Sequence, residues 1–500
     1  VHLRIPLPAA GLVTVSALLL TGCFAPSEDS AKPGSGDDRR IRLAMMQPPR
    51  SGLSPLSDDA FKLSRWSTAE TLVTLDPLGD ARPGLATRWT RTSDRTWEFT
   101  VREGVTFHDG SELTAEVAAH SLSRAATASP KPRILDGVEL TAEARGGKVV
   151  VTTDETDPLV PQRLSSPQLS ILAKSAYGKD GRIDPVGAGS GPYALVKVNG
   201  TTTAALDRYD GYWGKKARAA GIDVSFVPDG AARAAAIRSG EADIAESVPV
   251  SQASLLAPET VTEVPMPRTN TLYLNTASGP FEDAGLRAAA RAAIKPAELV
   301  KGVYEGRADR AGGLLGPALP WAAEGRRELT GRTKAADPGG TTITLATFSD
   351  RAELPEVASV LQQQLQQAGF KVKQVVREYA HIEEDALAGK FDAFILSRAT
   401  VLDSGDPVAY LRSDFTCDGS FNLARLCDKS VDEAVRKASA TPAGDARRAA
   451  VLAAEAAVLR TDAAIPMLHE RVIQGDATSL TGSAKDPRER LLVTSDTRFK

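Results

Sequence analysis

Histidine is scarce, five residues in 500, and none lies beside Cys417 and Cys427, which argues against a metal site at that cysteine pair. A basic excess is missing as well. Lys and Arg number 60 against 63 Asp and Glu, a net charge of -3, so nucleic acid is not an expected partner. Past the N-terminus no apolar run approaches the roughly 20 residues that span a bilayer. Phosphate-binding, nucleophile-elbow, zinc-protease and paired CxxC motifs are all absent, so the chain offers no catalytic signature and no enzyme is expected. The dipeptide His108-Asp109 could be imagined as a dyad, but adjacent residues seldom converge on one substrate. A turn at a strand end accounts for both side chains more simply.

What remains is an ordinary globular composition, 42% hydrophobic and 25% charged, with length for about three domain-sized units. Ala9 to Leu20 is apolar and short, which reads as a signal h-region. It ends in Leu20-Thr21-Gly22-Cys23, which resembles a lipobox, where cleavage after a small residue frees a cysteine for acylation. The expectation is a signal peptide over residues 1–22, lipidation at Cys23, and a body held on the outer face of a membrane. More than one acyl chain on Cys23 would be enough for stable anchoring. Residues 23–40, rich in Pro, Ser, Gly and Asp, have almost nothing to bury and read as a disordered tether. Its reach would be on the order of 20–25 Å. In an oxidising compartment Cys417 and Cys427 can pair and close a short loop; the alternative is two buried free thiols.

Thr96 to Val101 alternates polar and apolar residues, placing Trp97, Phe99 and Val101 on one buried strand face. Asp109-Gly110 marks a turn, and Thr114 is a suitable N-cap for the helix that follows. Gly230 to Ser239 reads as a helix ended by Gly240, with a strand over Glu241 to Ile244. A similar order recurs as a helix over Glu384 to Ala388, Gly389, and a strand over Phe391 to Leu396. Between them a strand over Thr342 to Phe348, a helix over Pro355 to Ala368 and a strand over Phe370 to Val376 make a βαβ unit. Two α/β lobes are expected rather than one core.

The run Val101-Arg102-Glu103-Gly104-Val105-Thr106-Phe107-His108-Asp109-Gly110-Ser111-Glu112-Leu113-Thr114-Ala115-Glu116-Val117 resembles the signature of solute-binding protein family 5. In the same family order come Glu70-Thr71-Leu72, Pro83-Gly84-Leu85-Ala86, Gly189-Ser190-Gly191-Pro192-Tyr193, Tyr209-Asp210-Gly211-Tyr212-Trp213-Gly214 and Ser239-Gly240-Glu241-Ala242-Asp243. Asn275, Pro280-Phe281, Arg287 and Ile465-Pro466-Met467 continue the series, which covers the chain from about Ile41 onwards. These motifs read mainly as fold-keeping residues, with Gly189 and Gly191 in backbone conformations closed to other residues.

The resemblance implies an α/β, two-lobed, periplasmic-binding-protein-like fold of the large type II, cluster C kind, with an extra α+β subdomain in the first lobe. The first lobe would take residues 41–275, with the subdomain at about 68–186, and the chain would return to it over 465–500. Residues 276–464 would form the second lobe, with crossings near Thr271 to Asn275 and Ile465 to Leu468. It further implies a monomer that binds a small molecule or peptide in the interlobe cleft and delivers it to the permease of an ABC importer.

In peptide-binding members an aspartate in a D-x-x-D-P arrangement holds the ligand's ammonium, and Asp403-Ser404-Gly405-Asp406-Pro407 matches it. Asp403 is therefore the first candidate. Thr400 stands where peptide binders often carry tryptophan, and Arg398 could clamp a carboxylate. Met45, Met46 and Gln47, after the first strand, are candidates for the first-lobe wall. No cofactor is expected. An oligo- or dipeptide is the ligand favoured by these residues. The alternatives are a nickel chelate or another small solute, and a sensory receptor that presents its ligand to a signalling partner.

Overall fold

The computed structural model describes residues 38–351, 353–401 and 404–500. The signal segment, Cys23, nearly all of the tether and Asp403 lie outside the described residues. Apolar side chains gather into two large cores. One takes Ile41, Leu43 and Met45 from the strand Arg40–Met45, runs on to Phe226, and receives Leu480, Leu492, Val493 and Phe499 from the C-terminal tail. The other collects residues between Leu272 and Leu468. No helix among the described residues is long and apolar enough to cross a membrane.

One eleven-stranded mixed sheet serves both cores. Its strands lie in the order Lys371–Arg377, Thr342–Phe348, Ala393–Ala399, Val261–Leu274, Ala464–Asp476, Ile244–Ala245, Arg40–Met45, Gly221–Phe226, Thr203–Arg208 and Tyr193–Asn199, with Ala308–Arg310 paired to the side. Two members, Val261–Leu274 and Ala464–Asp476, are long and antiparallel to each other, and they run from the second core to a smaller apolar cluster on the first-lobe side that holds Ala44, Ala234, Ile237, Ala245, Val248 and Ile473. Their register slips between Pro265, opposite Arg471, and Thr269, opposite His469. Pro265 and Pro267 have no N–H to give a ladder, so the strand bulges there and re-aims its side chains. The crossing therefore extends well before the Thr271 to Asn275 segment that the sequence suggested.

The βαβ unit forms as strand Thr342–Phe348, helix Glu353–Gln367 and strand Lys371–Arg377, the two strands parallel. Leu354, Val357, Ala358, Leu361 and Leu365 line the helix face that packs on them. The later helix is longer than expected, Tyr379–Leu387, and the strand after it begins at Ala393. Helix Gly230–Ser239 ends at Gly240, which is left-handed at φ 75°. Of the expected strand after it, only Ile244–Ala245 pairs. The reason is Asp243, whose buried carboxylate takes the Arg42 backbone N–H at 2.9 Å and its guanidinium at 2.7 and 3.0 Å.

A separate four-stranded antiparallel sheet comprises Ala86–Arg91, Thr96–Val101, Lys148–Thr153 and Leu140–Arg145. Helix Ala115–Ala126 packs on it, its N-cap Thr114 hydroxyl accepting from the Val117 N–H. His108 Nε2–H donates to the Gly191 carbonyl (2.9 Å), and Asp109 accepts from the Ser111 and Ser175 hydroxyls (both 2.6 Å). Both side chains of the imagined dyad are thus engaged in the fold.

The motifs behind the family resemblance meet at one buried carboxylate. Glu70 accepts from the Ser190 hydroxyl (2.7 Å), the Trp213 indole N–H (3.0 Å) and the Tyr212 hydroxyl (3.0 Å). Burial raises the Glu70 carboxyl above its ordinary range, and those three bonds oppose the rise. Gly189 and Gly191 are not in positive-φ conformations, contrary to the sequence expectation. They are glycine because a Cβ would collide with the Thr68 carbonyl at the first and the Ser67 carbonyl at the second. Close backbone approach, not backbone twist, fixes these two residues.

Candidate ligand site at the lobe crossing

Charged side chains from both cores converge where the long strands cross. On the first-lobe side Arg65 is the hub. Its Nε donates to the Glu489 carbonyl (2.8 Å), one Nη to the Glu489 carboxylate (2.7 Å), and the other to Glu246. Glu246 also receives the Met46 backbone N–H (3.1 Å). On the second-lobe side Arg351 pairs with Glu470 (2.8 Å), and Tyr304 joins Glu470 to Asn270 through bonds of 3.4 and 3.1 Å. Arg268 sits in the bulge itself, between Pro267 and Thr269.

Of the candidates read from the sequence, Met46, Arg398 and Thr400 are on segments that meet at this crossing. Met46 is half-buried beside Glu246, and Gln47 is exposed. Thr400 is buried, and its backbone N–H (2.8 Å) and hydroxyl (3.2 Å) both donate to the Pro267 carbonyl, tying its loop to the bulge. Arg398 directs a two-pronged fork at Asp414, 2.8 and 2.7 Å, and stacks over Phe421 at 4.3 Å. Burial raises the Asp414 carboxyl above its ordinary range, and the Arg398 bonds oppose that rise. Met45 is fully buried and accepts the Trp66 indole N–H at 3.1 Å, so it belongs to the first core. Cys417 and Cys427 are joined by a disulfide that closes the loop after helix Val408–Phe415.

The two lobes touch. Arg448 reaches Asp80 at 2.6 Å, and a Cβ on Gly79 would lie 3.0 Å from the Gly405 carbonyl. Asp406, from the D-x-x-D-P segment, takes both prongs of buried Arg447, at 2.6 and 3.0 Å. That pair carries the Gly405 turn against the first lobe. His469 lies on the second crossing strand, with Nδ1 3.0 Å from the Thr269 hydroxyl. Burial, then Arg326, pulls its imidazole down to about 4, so it is neutral at ordinary pH. A cavity of about 780 Å³ lies wholly within the second lobe. Its Arg287 and Arg425 are engaged with backbone carbonyls, and it draws on one lobe alone.

Arg65, Glu246, Arg268, Arg351, Glu470 and Glu489 had not been singled out from the sequence. The one available signal was Arg268, a charge leading directly into the buried run Thr269 to Leu274.

The fold recurs in solved structures. The nickel ABC transporter structure from Bacillus halodurans superposes with a TM-score of 0.77 at 25% identity, over 92% of this chain and 100% of that one. DppA from Helicobacter pylori in complex with the peptide STSA gives 0.73 at 20% identity, over 92% and 98%. Among curated proteins, the glutathione-binding protein GsiB of Salmonella typhi is 28% identical over 295 residues, 56% of this chain. The chain spans 57% of that relative's length. The family model described as bacterial extracellular solute-binding proteins, family 5 Middle, matches residues 80–422, more than half of the chain. With two lobes, two crossing strands and the motif series around Glu70 in place, this chain belongs to the family 5 bacterial extracellular solute-binding proteins.

Proposed function

We propose that this protein is the extracytoplasmic capture component of an ABC importer, lipid-anchored through Cys23, and that it takes an oligo- or dipeptide between its lobes. The observation that carries the reading is the crossing itself. Among the described residues, the two long strands run from the second core to the small apolar cluster of Ala44, Ala245 and Val248 on the first-lobe side, and both lobes bring charged side chains to the point where they cross. Such a joint allows opening and closing about a fixed pair of strands. Closure then buries a ligand against groups already in place. Relatives named for binding glutathione and a structure titled with the peptide STSA support the peptide class. The chain would act without chemistry on its ligand and as a monomer. Arg398, Thr400, Met46, Gln47 and Asp403 are proposed to lie in or beside the ligand's surroundings, with Arg398 and Thr400 acting through the loop they position.

A nickel chelate is the second reading, favoured by the likeness to the Bacillus halodurans structure. Peptide uptake separates an importer from a sensor. Cells lacking this protein are expected to lose import of a labelled peptide mixture, and the intact gene should restore it. Unchanged import in the deletion strain would refute the transport role.

A further inference from the structure

Besides the crossing strands, the lobes meet at a seam built from two short segments. The first-lobe side is the hairpin of strands Val73–Leu75 and Ala81–Pro83, whose Val73 belongs to the first core. The turn of this hairpin is tightly held. Asp76 accepts the Leu78 and Asp80 backbone N–H groups at 2.9 and 3.0 Å. Arg488, from the C-terminal tail, donates to the Asp76 and Pro77 carbonyls at 2.6 and 2.8 Å. The second-lobe side is the first turn of helix Asp445–Arg460, rooted in the second core through Val451, Ala454 and Val458.

At this seam Arg448 donates to Asp80 at 2.6 Å. Its own helix holds the guanidinium ready, since the other Nη donates to Asp445 at 2.8 Å. The adjacent Arg447 donates instead to Asp406, which fastens the Gly405 turn to the same helix. Gly405 and Gly79 then press together. A Cβ on Gly79 would lie 3.0 Å from the Gly405 carbonyl, and a Cβ on Gly405 would collide with Leu75. Both glycines have positive φ, 85° at Gly79 and 70° at Gly405, so neither the turns nor the close approach admits a larger residue. The gap left between the segments is about 30 Å³, room for little more than water and far too small for a solute. The seam is a contact between lobes and not a ligand pocket.

We propose that the Asp80–Arg448 pair is a closure latch, which forms when the lobes come together and favours the closed arrangement without touching the ligand. The inference rests on the reading of the crossing strands as a hinge, and it holds whatever solute the cleft takes. Asp80 is 34% and Arg448 19% exposed, so water and salt partly screen the pair. Its expected contribution is a bias of about two- to fivefold toward closure. A bias of that size leaves the lobes able to open again, as release of a solute requires. It also raises the apparent affinity for any solute held by the closed form, because more of the free protein is already competent.

Small-angle X-ray scattering of the ligand-free protein tests this, reading lobe separation as the radius of gyration. The wild type is expected to expand as salt rises from about 0.01 M to about 1 M, where the Debye length falls from about 30 to about 3 Å. Asp80→Asn and Arg448→Gln should be expanded already at low salt and respond little to more. The charge-swapped double variant, Asp80→Arg with Arg448→Asp, should return toward the wild-type radius, which a mere folding defect would not do. Equal radii for the wild type and both single variants at every salt concentration overturn the latch and leave solute capture standing. A swap that restores nothing shows that the two residues do not act as a pair, and overturns it as well. A wild type that expands with salt yet retains no peptide supports the latch and removes only the peptide reading.

Discussion

Arg398→Ala is expected to destabilise the second lobe by about 3–5 kcal/mol, the cost typical of leaving one partner of a buried ion pair uncompensated. Asp414 is 0% exposed, and its carboxylate takes both prongs of Arg398 together with the Ser413 hydroxyl. Without the guanidinium, Asp414 must either carry an unpaired charge in the core or take up a proton. Thermal melts read the loss directly, at roughly 2–4 °C per kcal/mol for a unit of this size. Tyr410 and Phe421, which border the guanidinium at 5.9 and 4.3 Å, lose a packing partner at the same time. The double variant Arg398→Ala/Asp414→Ala should recover part of the deficit, because removing both charges removes the unpaired one. A single variant as stable as the wild type would show that Asp414 finds another partner.

Glu70→Ala should be comparably severe. It strips the acceptor from three donors at once: the Ser190 and Tyr212 hydroxyls and the Trp213 indole N–H. Each buried donor left unsatisfied costs about 1–3 kcal/mol, and rearrangement or water recovers some of it. A net loss of about 3–5 kcal/mol in the first lobe is the expectation from that range. Glu70→Gln keeps one acceptor oxygen and should lie between. The pH dependence has a definite sign. The folded-state carboxyl titrates above its ordinary range, so the native protein holds this proton more tightly than the unfolded chain. Its contribution is full below the ordinary carboxylate range and is lost as pH rises through the folded value. Glutamine cannot ionise, so the gap between wild type and Glu70→Gln should narrow from acid to neutral pH. A gap that widens would place the titrating group elsewhere.

These two carboxylates also mark the limits of what can be read along a chain. The strand, helix and strand between Thr342 and Arg377 were legible because apolar spacing and Gly369 specify each locally, and the structure follows within a few residues. The Thr114 cap was legible for the same reason. Glu70 was visible only as a member of a motif. Its role as the meeting point of segments 120 to 143 residues away is a tertiary fact that no local pattern encodes. The same holds for Gly189 and Gly191, where the neighbour that demands glycine is the backbone at Ser67 and Thr68. Around the crossing, residue types led to Met46, Arg398 and Thr400 as candidates. They could not tell an arginine already paired, Arg398, from Arg268, whose Nε finds no hydrogen-bond partner among the described residues. Charge composition is blind to pairing, and pairing decides which groups remain available to a ligand.

The most direct test of capture between the lobes is native mass spectrometry of the body from Asp38 onwards, freed of ligand and mixed with a complex peptide digest. The account predicts retained masses that correspond to peptides within a narrow length range, one per protein molecule. Folded protein that retains no peptide, but holds a nickel chelate offered in parallel, would contradict it.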